Sequence, residues 1–311
     1  MRVSSFFCTG LLTGILSMQM GGLHAETPFG TTTTAGDTPS IIQDTGVANR
    51  LAVAGVLRSL TQEIPAAACH LYQDVNAEDA RDLLSTGVDQ TTELLDALLN
   101  GDIFWGVIAP ETRRKTITEI EQLRSDWAPI HAASRRLLSD PSQQQDANQI
   151  VAAAEDLFDT SYALLTTLDA QYSNSAEILS RDVMSINLAG RMTALNQGMA
   201  LKACQLWSSD LDPVIAANLK QEMQDYEGSL KALSDGYAAM GILPPETPGL
   251  VNTLAEIGQI WDLNRQLLAL VAAGEEISEQ QRFDLYYNLI DERVLLLDLV
   301  YLYQDNSKVA Y

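Results

Sequence analysis

The sequence predicts an all-α protein made of two tandem antiparallel four-helix bundles packed through their first helices. Three observations predict it. Apolar residues recur at spacings of three and four, with no sustained alternation. The chain repeats itself at an offset of 135 residues. Helix-start signals stand at corresponding places in the two copies.

The repeat is clearest in the first helix of each copy. Leu51-Ala52-Val53-Ala54-Gly55-Val56-Leu57-Arg58 matches Ile186-Asn187-Leu188-Ala189-Gly190-Arg191-Met192-Thr193. The match runs on without a gap through Gln62 and Gln197 to Ala68-Cys69-His70-Leu71-Tyr72 and Ala203-Cys204-Gln205-Leu206-Trp207. Further on, Gly101, Gly106 and Pro110-Glu111-Thr112 match Gly236, Gly241 and Pro245-Glu246-Thr247, and Trp127 matches Trp261 after one deletion. The units are residues 42–173 and 174–311. Residues 26–41, rich in Thr, Gly and Pro, read as a flexible leader.

Each unit reads as four helices. Ser40…Gln43 and Asn174…Glu177 are capping boxes before the first helices. Asn76 and Asp212-Pro213 open the second helices, and Thr247-Pro248 opens a third. Asp140-Pro141 and Ser278…Gln281 open the fourth helices, whose registers align poorly between units. The second helices share a heptad core, Leu84, Val88, Thr91, Leu95 and Leu98 against Leu219, Met223, Tyr226, Leu230 and Leu233. Pro65 falls inside the first helix and is expected to kink it.

Composition bounds the function. Arg2 is the only charge among the first 25 residues, residues 6–15 are an apolar run, and Leu23-His24-Ala25 suits cleavage, so residues 1–25 read as a signal peptide. The expected location is periplasmic or secreted. Beyond residue 25 no stretch reaches the roughly 18 apolar residues of a membrane span. A net charge of −22 argues against nucleic acid and anionic lipid as partners. Two cysteines and two histidines beyond residue 25 are thin material for a metal site, and no cofactor is expected. No motif assembles a nucleophile, a base and an orienting group, so an enzyme is not expected. Arg113-Arg114-Lys115, the densest basic cluster, reads as a solvated helix start or a contact for an acidic partner.

The first helices carry two stripes. With Gly55 and Gly190 at heptad position a, one stripe is Val53, Leu57, Leu60, Ile64, Leu71 and Leu188, Met192, Leu195, Met199, Leu206, purely apolar and suited to each bundle's own core. The opposite stripe holds Leu51, Gly55, Arg58, Gln62, Cys69 and Ile186, Gly190, Thr193, Gln197, Cys204. Its small and polar residues in register suit a helix–helix seam, most simply between the duplicates, with glycine allowing close approach. Arg58 has no carboxylate on this stripe, so a small anion is a natural partner. The alternatives are a plain seam in which the glutamines set register, and an Arg58 that reaches the surface or an acid elsewhere.

Cys69 and Cys204 occupy equivalent positions. They form either a disulfide across the seam, which needs Cα atoms within about 7 Å, or two separate buried thiols. His70 has Gln205 as its counterpart and is expected at a polar surface position. His131, beside Arg135 and Arg136, reads as an ordinary helix face.

The stretch Ile186-Asn187-Leu188-Ala189-Gly190-Arg191-Met192-Thr193-Ala194-Leu195-Asn196-Gln197-Gly198-Met199-Ala200 resembles the signature of the N-terminal domain of type IV pili methyl-accepting chemotaxis transducers, roughly I-N-L-A-G-R-Q-R-M-L-S-Q-R-M-A. Trp127 and Trp261 in the third helices also resemble that PilJ-like family. Unit one keeps Ala54, Gly55, Arg58, Leu60 and Gln62 but lacks the Asn. The resemblance extends to NarX-type nitrate-sensing domains, in which an arginine from each first helix meets nitrate at a dimer interface. It implies that Arg58 is retained for that role, whereas Thr193 stands at the equivalent place in unit two and Arg191 lies off the seam. Any such site is therefore asymmetric.

The reading is an exported, sensor-like binding protein. Its pocket is expected among Gly55, Arg58, Gln62, Gly190, Thr193 and Gln197, with Asn187 and Arg191 as additional candidates. The ligand is small, an anion such as nitrate being one candidate. No kinase, cyclase or methyl-accepting region follows in these residues, so a membrane receptor or a pilus or chemotaxis component is expected to read the bound state. The rival is a ligand-free envelope interaction or scaffold protein associated with pili or a chemoreceptor.

Overall fold

The computed structural model describes residues 47–172, 180–208 and 212–307. The signal segment, the leader and the capping boxes read at Ser40…Gln43 and Asn174…Glu177 lie outside them. The described helices are α1 (Val47–Tyr72), α2 (Ala77–Asn100), α3 (Arg114–Ser139), α4 (Gln144–Ala152), α5 (Ala154–Tyr172), α6 (Ser180–Ser208), α7 (Pro213–Asp235), α8 (Pro248–Ala273) and α9 (Glu279–Ser307). The described residues contain no strand, only two isolated bridges, Asp102–Val107 and Tyr237–Ile242. The protein is all-α.

Several helices start where local chemistry requires. The Asp212 carboxylate accepts from the N–H groups of Val214 at 2.8 Å and Ile215 at 3.3 Å, with Pro213 as the first helical residue. Ser278 and Gln281 exchange hydrogen bonds at 2.8 and 3.2 Å, a reciprocal capping box. Two starts differ from expectation. Asn76 opens α2 through a left-handed backbone, φ 49°, and its side chain makes no cap bond. Asp140 does not open the fourth helix of unit one, because its carboxylate is taken by Ser142 and Gln143 in a turn. That helix begins at Gln144 and breaks at Ala153 into α4 and α5. α1 runs through Pro65 as one helix.

α1 packs on α2, α4 and α5, while α2 and α3 and then α3 and α5 complete the first set of contacts. α6 packs on α7, α8 and α9, closed by α7 on α8 and α8 on α9. The most extensive helix pair joins the sets, α1 on α6, and α9 also reaches α1. Small and apolar residues run round all sides of α1 and α6, so both are covered almost completely. From Arg50 to Leu71 only Gly55 and Val56 are more than slightly exposed. The apolar stripes lie in the core as read, from Leu57, Leu60 and Ile64 on α1 to Met192 and Met199 on α6.

The α2–α3 connection is pinned from beneath by α1. Buried Arg50 donates to the carbonyls of Leu98 at 2.8 Å and Ala109 at 2.5 Å, and pairs with Glu111 at 3.6 Å. Glu111 in turn accepts from the N–H groups of Thr112 and Arg113 and from the Tyr172 hydroxyl. Arg113 stacks on the Tyr172 ring at 3.7 Å, while Arg114 and Lys115 face solvent.

Candidate functional site

The seam between α1 and α6 is parallel and in register at the offset of the repeat. A Cβ placed on Gly190 would lie 3.4 Å from the Arg58 Nη2 and 4.0 Å from the Gly55 Cα. Two glycines facing one another let the backbones approach, and the space beside them receives the Arg58 side chain. About four turns beyond the glycines, Cys69 and Cys204 form a disulfide with Cα atoms 6.2 Å apart. Next to it the His70 ring nitrogen meets the Ala200 carbonyl at 3.3 Å.

Arg58 is the unusual group on this seam. Only 2% of it is exposed. Its Nη2 donates to the Asn187 carbonyl of α6 at 3.2 Å, and its Nε has no partner. Among the described residues no carboxylate pairs with it. Burial, reinforced by the nearby positive charge of Arg191, pulls its pKa down to about 10. Beside it lies a cavity of about 10 Å³, bordered by Gly55, Asn187, Gly190 and Thr193 and closed by Leu297 and Val300 of α9. That volume holds about one water.

Of the residues read from sequence as a pocket, Gly55, Arg58, Gly190 and Thr193 therefore meet at one cavity, together with Asn187. Thr193 turns its hydroxyl back to the Ala189 carbonyl at 3.3 Å. Gln62 and Gln197 do not border that cavity. Gln62 donates to the Ala154 carbonyl at 3.2 Å, at the break between α4 and α5. Gln197 donates to the Asn196 side chain at 2.6 Å. Arg191 lies on the outer face and pairs with Asp225 of α7 at 2.5 Å.

His70 corrects the surface expectation. It is fully buried, stacked on the Tyr286 ring at 3.5 Å and edge-on to Trp207. The reason is α9, which reaches across to cover α1 and supplies Tyr286. Burial holds the imidazole neutral, with its pKa down at about 3.

Sequence reasoning missed two buried acids. Glu63 of α1 is 1% exposed and forms a two-pronged pair with Arg293 of α9, joining the two repeats. Glu292 lies in the core of the second repeat, accepting from Asn196 at 3.0 Å, Asn264 at 3.0 Å and Tyr226 at 2.6 Å. Burial pushes its carboxyl up to about 7 despite those donors. A signal for it stands in the sequence: the helical stripe Leu285, Leu289, Glu292, Leu296, Leu299 interrupts leucine with one acid. Among the described residues no group of three or more His, Cys, Asp or Glu side chains is placed to hold a metal ion.

Residues 176–290 match the PilJ family model, described as the type IV pili methyl-accepting chemotaxis transducer N-terminal region. The match runs from α6 into α9, within the second repeat. No curated protein matches the chain. Among the described residues no helix is long and apolar enough to cross a membrane.

Proposed function

We propose that this chain is an exported sensor that binds a small anion beside Arg58 and presents the bound state to a membrane signalling partner. The observation that carries this reading is the buried Arg58 guanidinium, which has one carbonyl partner, a free Nε and no carboxylate. A buried cation without a counter-ion is costly, and an anion entering the seam would offset that cost. A planar monovalent anion such as nitrate matches the guanidinium plane. A cavity of about 10 Å³ is too small for it, so binding requires α1 and α6 to part slightly. That movement of two central helices is what a partner would read.

The small cavity also favours a second reading, a ligand-free interaction protein whose seam is packing alone. One thermal-shift series separates the two. Nitrate, nitrite, chloride and sulfate are compared at constant ionic strength on the wild type and on Arg58→Ala. An anion that stabilises the wild type and not the variant supports sensing. A flat response from the wild type, or equal shifts in both proteins, sinks the anion reading.

A further inference from the structure

The duplication lets one repeat serve as a template for the other. In the first repeat the Arg50 guanidinium fills the space beneath the α2–α3 connection, bound to two carbonyls and to Glu111. The second repeat builds the same frame. Gly236 takes φ 81° where Gly101 takes 77°, and the Tyr237–Ile242 bridge stands for Asp102–Val107. Pro244 and Glu246 fall in the places of Ala109 and Glu111. The position of Arg50 is taken by Ser185, whose side chain is too short to fill the space. There the structure has a cavity of about 180 Å³, walled by Ser185, Asp182, Pro244, Glu246 and Tyr303. Tyr303 is 8% exposed, and its hydroxyl has no hydrogen-bond partner.

We propose that this cavity binds the guanidinium group of a small ligand, in the place that Arg50 fills internally in the first repeat. The Glu246 carboxylate would pair with it as Glu111 pairs with Arg50, and the Tyr303 hydroxyl would accept from it as the backbone carbonyls accept from Arg50. The cavity is more than ten times the volume one water needs, about 10–15 Å³. A net charge of −22 raises the local concentration of cations at the protein surface. The site stands apart from the Arg58 seam and does not depend on the anion reading.

The test is calorimetric titration of the full chain with agmatine, and with methylurea as the uncharged planar control, at constant ionic strength. Wild type is expected to bind agmatine and not methylurea. Ser185→Arg should abolish agmatine binding by supplying the guanidinium from within, and should raise the melting temperature. Glu246→Gln should weaken binding at least tenfold. Tyr303→Phe, which removes only the hydroxyl, should weaken it several-fold and keeps the test alive if the arginine variant does not fold. Agmatine binding no tighter than methylurea overturns the proposal. So does agmatine binding that survives Glu246→Gln and Tyr303→Phe unchanged, since the cation would then be held elsewhere on an acidic surface.

Discussion

Gly55 of α1 and Gly190 of α6 face one another across the seam, so that a Cβ on Gly190 would come to 4.0 Å from the Gly55 Cα. The absent side chains leave room for one long one. Arg58, one turn further along α1, lies against Gly190 and reaches the Asn187 carbonyl. The same duplication that aligned the glycines put Thr193 opposite instead of a second arginine, so the seam holds one buried cation and not two facing each other.

Substituting the glycines should separate helix propensity from space. A Cβ on Gly55 meets nothing within 4 Å. Gly55→Ala should therefore stabilise by about 0.5–1 kcal/mol through helix propensity alone. Gly190→Leu should destabilise by about 1–3 kcal/mol, because it must displace Arg58 or part the helices. Thermal melts of both variants check the contrast.

Arg58→Met should make the unliganded protein more stable, by about 1–4 kcal/mol, since it exchanges a buried charge without a counter-ion for an apolar chain of similar length. Urea denaturation in a buffer free of nitrate and sulfate measures it. A large loss of stability would mean that the bond to Asn187 outweighs desolvation.

Removing Arg293 should be severe. Arg293→Ala leaves Glu63 buried without its partner and should cost about 3–5 kcal/mol. Burial already raises the Glu63 carboxyl, so the variant should recover part of the loss at acid pH, where the acid is neutral. Glu63→Met combined with Arg293→Leu should lie close to wild type. A double-mutant cycle gives the coupling.

Two buried groups tilt stability in opposite directions with pH. Glu292 is raised to about 7 from 4.5, so the folded chain holds a proton that the unfolded chain has released. Its contribution is fully present below pH 4.5 and is lost as pH rises to about 7. His70 is lowered to about 3 from 6.5, so its contribution is present above pH 6.5 and is lost as pH falls towards 3. Each slope is at most about 1.4 kcal/mol per pH unit. Urea melts across this range should show Glu292→Gln flattening the neutral side and His70→Gln the acid side.

Reduction should weaken the fold sharply. The Cys69–Cys204 bond closes a loop of 135 residues, for which chain entropy gives about 4–5 kcal/mol. Melts with and without dithiothreitol test this. The Cys69→Ala, Cys204→Ala double variant, insensitive to the reductant, is the control.

Much of the architecture could be read before any coordinates. Helical spacing, the caps at Asp212, Thr247 and Ser278, and the in-register pairs Gly55–Gly190 and Cys69–Cys204 are properties of neighbouring residues or of the chain compared with itself. The caps are seen in place because their partners lie two or three residues away. Asp140 shows the limit even of local reading, because Ser142 and Gln143 compete for the same carboxylate.

By itself the sequence determined the helical class, the duplication and the arginine without an acid on its stripe. Only the tertiary structure decided which polar groups are buried and with whom. α9 covers α1 as well as α6, which buries His70 under Tyr286 and joins Glu63 to Arg293. The break between α4 and α5 offers Gln62 a carbonyl and draws it away from the cavity at Arg58. The Glu292 network draws in Asn196, and Gln197 follows it. The physical reason is that helix formation depends on residues within one or two turns, whereas the burial of a charge depends on elements a hundred or more residues distant.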